Sequence, residues 1–121
     1  MRTLAEVLPR CTHLVLMVGL PGAGKTTWLA AQAADLDPLI VYFDATLTRR
    51  MDRAPLLQAA LRADRPVDAV WHDTPVAACR ARNALRPVER RVPDAAFDAM
   101  VRRITAPAIG EGFRTVTRVF D

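Results

Sequence analysis

Residues 13–28 read HLVLMVGLPGAGKTTW. An apolar run closed by glycine is the pattern of a fully buried strand, and it predicts one over 13–19. The eight residues Gly19-Leu20-Pro21-Gly22-Ala23-Gly24-Lys25-Thr26 fit G-x4-G-K-[ST], a spacing that carries phosphate chemistry when it joins a strand to a helix. Gly19, Gly22 and Gly24 let backbone amides approach phosphate oxygens closely. The helix start aims unpaired N–H groups and a partial positive charge at an anion. Lys25 adds a full charge for the β- and γ-phosphates, and the Thr26 hydroxyl can ligate magnesium. The residues expected to contact nucleotide are therefore Gly19, Leu20, Pro21, Gly22, Ala23, Gly24, Lys25, Thr26 and Thr27. The expected ligands are ATP and Mg2+. A plain glycine-rich turn is the alternative, and the strand before and helix after the motif argue against it.

Working outward, the spacing predicts a helix over 26–34, broken by Asp37-Pro38, and a second buried strand over 39–43 ending at Asp44. Asp44 is then placed as a Walker B acid, a magnesium ligand and catalytic candidate; an aspartate capping the next turn is the other reading. Met51, Ala54, Leu57 and Leu61 recur at helical spacing within 48–63, with Pro55 moving the expected helix start toward Ala54. A third strand over 67–71 and helices over 75–85 and 94–104 follow. Residues 113–120 (FRTVTRVF) alternate as a half-exposed edge strand would. Strands alternating with helices imply an α/β fold: a three-layer sandwich around a mainly parallel sheet of about four strands.

The chain has 121 residues, 51% hydrophobic and 25% charged, which suits a single domain over 1–121 with a packed core. No apolar run approaches the roughly 20 residues of a membrane span. Glu6, Pro9 and Arg10 interrupt any leader-like stretch, so a cytoplasmic protein without membrane contact is expected. Cys11 and Cys79 form no ligand-like pair, and His13 and His72 are expected to be structural. The net charge of +4 reflects an arginine bias, since Lys25 is the only lysine among 17 basic residues.

GLPGAGKTTW (19–28) and the later segments resemble P-loop kinases related to the polynucleotide 5′-hydroxyl kinases and, more distantly, the zeta toxins. The matching pieces are Asp44-Ala45-Thr46 for the family's Asp-x-Thr, Arg82-Asn83-Ala84-Leu85-Arg86 for its Arg-Asn-x-x-Arg, and Arg90-Arg91-Val92-Pro93 for its lid closure. Pro107 to Phe113 is similar to its closing element. The resemblance implies ATP-dependent transfer of the γ-phosphate to a hydroxyl, with Arg82 and Arg86 over the phosphates and Lys25, Asp44 and Arg86 as catalytic residues. Arg80, Arg90 and Arg91 are read as a solvated face.

The chain departs from that family at 35–38, where four residues stand in place of a strand, a helix and the aspartate expected as general base. The resemblance then implies one strand fewer than in the relatives. An uncovered edge or face predicts a homodimer or a domain swap. Two functions remain open: a compact kinase acting on a nucleic-acid 5′-end or a small molecule, and a reduced nucleotide-binding module without efficient turnover.

Overall fold

The computed structural model describes residues 4–32, 39–44 and 48–120. The elements in chain order are α1 (Leu4–Val7), a 3-10 turn (Leu8–Arg10), β1 (His13–Val18), α2 (Lys25–Ala31), β2 (Ile40–Asp44), α3 (Arg50–Arg62), β3 (Val67–His72), α4 (Val76–Ala84), α5 (Asp94–Arg103) and β4 (Thr115–Val119). All four strands are parallel, in the order β2-β1-β3-β4. The first crossover steps outward from β1 to β2, and the next reverses across β1 to β3. Right-handed crossovers in opposite directions put their helices on opposite faces, and the packing agrees. Trp28 and Leu29 of α2 lie against Val15, Met17 and Val70. Leu56, Leu57 and Ala60 of α3 lie against Leu14, Leu16 and Ala69 on the other face. The α/β sandwich with a four-stranded parallel sheet is therefore present, with β4 at one edge as its alternation foretold.

Two elements differ from expectation. Helix α3 runs continuously from Arg50, with Pro55 inside it, rather than starting near Ala54. Its buried stripe is Arg53, Leu56, Leu57 and Ala60, whereas Met51 and Leu61 are 68% and 78% exposed. The apolar spacing held for Leu57 but not for Met51 and Leu61, because the inward stripe runs through the fully buried Arg53. Its guanidinium forks onto Glu111 (2.8 and 2.9 Å) and also donates to the carbonyls of Thr48 and Thr105. With those partners a buried charge is tolerated. The second difference is Phe113, which precedes β4 and is a core residue rather than part of an edge strand.

Helix α3 stops where Asp64 takes a left-handed conformation (φ 56°), while the N–H groups of Arg65 and Asp64 bond back to the carbonyls of Ala60 and Leu61. This pairing satisfies carbonyls that a helix end leaves open, and aspartate accepts the left-handed region better than most residues do. The N-terminal turn, which periodicity did not reveal, buries Leu8 and Cys11 beside α3. Among the described residues no helix is long and apolar enough to cross a membrane.

Candidate nucleotide site

The loop between β1 and α2 is packed from beneath. Leu20 and Ala23, two of its variable positions, are buried against Cys79 of α4 and Phe97 of α5. Burying a leucine is worth about 1.5–3 kcal/mol, so these side chains hold the loop while its backbone faces outward. Thr74 adds a hydrogen bond from its hydroxyl to the Ala23 carbonyl at 2.7 Å. Gly24 is left-handed (φ 95°), and its carbonyl accepts the Trp28 N–H (2.8 Å) as α2 begins.

Gly22 is constrained twice. Its φ is +83°, and a Cβ there would sit 2.5 Å from the Cys79 carbonyl oxygen. Gly22→Ala is expected to cost at least about 1–2 kcal/mol for the backbone conformation alone, with the clash adding to it. Thermal unfolding and an ATP titration should both show a loss; an unchanged melting temperature would contradict the close approach of loop and α4.

The Lys25 ammonium is buried and donates to the carbonyls of Gly19 (2.7 Å) and Leu20 (3.3 Å). Thr26 and Thr27 are exposed toward a cavity of about 750 Å3 at the carboxyl ends of β1 and β3. Parallel sheets of this winding bind ligands at such a point, where strand order reverses. The loop from Pro21 to Thr27 forms one wall, and Arg82 and Arg86 form part of another. Arg82 donates to the Gly22 carbonyl at 3.2 Å. Asn83 explains how the segment after α4 folds back: its amide donates to the Val92 carbonyl (2.8 Å) and accepts from the Val92 N–H (3.0 Å). The Arg91 guanidinium then caps the Arg86 carbonyl, and Arg80 pairs with Asp98 over the Phe97 ring. Arg80 and Arg91 thus serve the segment's own structure, while Arg82 and Arg86 reach the cavity.

Of the expected contact residues, Gly19 and Leu20 do not line the cavity. Gly19 instead lies tight against His72. Asp44 ends β2 and registers with Met17 of β1, at the same end of the sheet as the loop. Ala45 and Thr46 of the Asp-x-Thr element, and the short connection at 35–38, lie outside the described residues. The sequence reading missed the rest of the wall: Trp28, Ala31, His72, Val92, Val119 and Phe120. His72 is buried with its ring edge-on to Trp28 (5.6 Å, 80°), so it is structural and part of the wall at once. Four separate elements supply these residues, and no local pattern links them.

Among the described residues no cluster of three ligating side chains is present. Magnesium in phosphate loops is held by one hydroxyl, nucleotide oxygens and water, so Thr26 at the cavity wall suits it without such a cluster.

The fold and this site define a P-loop NTPase-like, nucleotide-binding α/β domain. A family model described as an AAA domain matches residues 37–107, more than half of the chain. The chain belongs to that AAA domain family. The match begins after the phosphate loop, so the loop and the family assignment are independent observations. Compared with the curated proteins, the sequence has no match.

Proposed function

We propose that this domain is a phosphotransferase that moves the γ-phosphate of ATP to a hydroxyl acceptor. The observation that carries the reading is the convergence of Arg82 and Arg86 on the cavity formed by Pro21 to Thr27. A binding module needs the loop alone. Guanidinium groups facing it are what phosphoryl transfer uses, because they meet charge that develops on the moving group. The acceptor oxygen bonds to the γ-phosphorus as the bond from that phosphorus to ADP breaks, and the hydroxyl proton leaves to solvent. Lys25 and the loop amides hold the β- and γ-phosphates, and Trp28, Val119 and Phe120 offer the base an apolar surface. Thr26 and Asp44 would hold magnesium, which would supply positive charge against the transferring group. The likeness of Arg82 to Arg86 and of Arg90 to Pro93 to the polynucleotide kinases supports the same reading.

The second reading, a module that binds nucleotide without efficient turnover, is favoured by the four-residue connection at 35–38, which is too short for a strand, a helix and a dedicated base. Radiolabelled ATP offered to 5′-hydroxyl oligonucleotides, nucleosides and small polyols separates the two. Label in one acceptor class is the expected result. ATP binding with no labelled acceptor and background hydrolysis would leave only the module.

A further inference from the structure

Phe120 stands in the wall of the phosphate-loop cavity, one residue past the end of β4, and is 68% exposed. An exposed ring beyond the last strand has no packed core to select its rotamer, so the contacts that fix it lie at the surface. A short chain of such contacts is present. The Arg118 guanidinium lies over the Phe120 ring, 4.4 Å from its centroid. The Arg118 Nε donates to the Asp73 carboxylate at 2.7 Å, and Nη2 reaches the same oxygen. The Asp73 N–H in turn bonds the Val119 carbonyl at 2.9 Å, which fixes the end of β3 against the end of β4.

This chain has a direction. Val119 and Phe120 line the cavity, whereas Arg118 and Asp73 do not. The guanidinium therefore covers the ring face turned away from the cavity and leaves the other face open to it. Ion pairs this exposed contribute little to stability. The consequence of the pair lies in where it puts the ring. A side chain that is already ordered does not have to be immobilised when a ligand arrives, and that saving appears as affinity. An aromatic face of this kind suits a nucleobase, since every base has a flat π-surface to lay against it.

We propose that Asp73 and Arg118 are positioning residues that hold Phe120 as a preset platform for the base of the bound nucleotide. The inference deepens the nucleotide-binding half of the reading above. Its test measures binding without turnover, so failure of phosphotransfer leaves it standing.

Calorimetry with ATP and with inorganic tripolyphosphate, both with magnesium, separates what the base contributes from what the phosphates contribute. Phe120→Ala lowers ATP affinity about 5- to 150-fold, the worth of one stacked base, and leaves tripolyphosphate affinity unchanged. Arg118→Gln and Asp73→Asn each lower ATP affinity about 2- to 12-fold, the cost of ordering one side chain on binding, and again spare tripolyphosphate. Adding Arg118→Gln to Phe120→Ala produces no further loss, because the arginine acts only through the ring. Arg114→Gln is the structural control. It removes a similar fork onto Asp68 at the opposite end of the same two strands and changes neither affinity. Unchanged ATP affinity in Phe120→Ala, equal losses for ATP and tripolyphosphate, additive effects in the double variant, or the same loss in Arg114→Gln would each overturn the assignment. Absence of ATP binding to the wild type would strike the phosphate-loop site itself, and the platform with it.

Discussion

Lys25→Ala is expected to weaken ATP binding by about 30-fold to about 4,000-fold, the equivalent of roughly 2–5 kcal/mol for removing one partner of a buried charge pair. The ammonium is already desolvated and aimed within the loop, donating to the carbonyls of Gly19 and Leu20. Phosphate oxygens arriving at the loop would find a cation that has lost most of its water, so their attraction is screened less than at a surface. The effect should lie in the phosphates rather than the base. Adenosine affinity should therefore stay near the wild-type value while ATP affinity collapses. Lys25→Met keeps the apolar stem and removes only the charge, which separates loss of attraction from a cavity left in the loop. Calorimetry with ATP, ADP and adenosine in the presence of magnesium reads all three terms. Similar ATP affinity in wild type and Lys25→Met would remove the loop as the phosphate site.

The phosphate loop was legible because its chemistry is contiguous: eight neighbouring residues hold the turn, the amides, the charge and the hydroxyl. The strands were legible for a related reason. Short apolar runs such as LVLMV and LIVYF have few other homes than a buried parallel sheet. Arg82 and Arg86 were singled out through a short motif at the end of α4, and they line a cavity beside a loop some 60 residues earlier. What stayed hidden depends on pairing between distant segments. Arg53 reads as a solvent-facing residue until Glu111, 58 residues away, is brought to it. Once the arginine turns inward, Met51 and Leu61 must turn outward, and the expected apolar face of α3 shifts by about one position. The cavity wall had the same difficulty. Trp28 reads as a helix residue facing the sheet, and Phe120 as the last residue of an edge strand. Only the parallel order β1-β3-β4 sets His72 and Val119 beside the end of β1.

Arg53→Ala is expected to destabilise the fold by about 3–5 kcal/mol, because it strands the Glu111 carboxylate without its cation. Both side chains are almost entirely removed from water, at 0% and 2% exposure. The Glu111 carboxylate also accepts the Ala108 N–H at 3.0 Å, so the loop before β4 loses its anchor together with the charge pair. A domain of this size holds only about 5–15 kcal/mol in total, so the variant should sit close to its unfolding threshold. Glu111→Leu should be comparably harmful, since it leaves a buried guanidinium facing no anion. The double variant Arg53→Met, Glu111→Leu is expected to be more stable than either single change, as buried ion pairs replaced by apolar residues of similar volume often cost little. It should still fall short of wild type, because the Thr105 carbonyl loses its Arg53 donor and the Thr48 carbonyl keeps only the Thr105 N–H, at about 1 kcal/mol for each lost bond. Urea unfolding of the four proteins, followed by far-ultraviolet circular dichroism, supplies the double-mutant cycle. Single variants within about 1 kcal/mol of wild type would mean that the pair is hydrated in solution. The outward placement of Met51 and Leu61 on α3 would then need another cause.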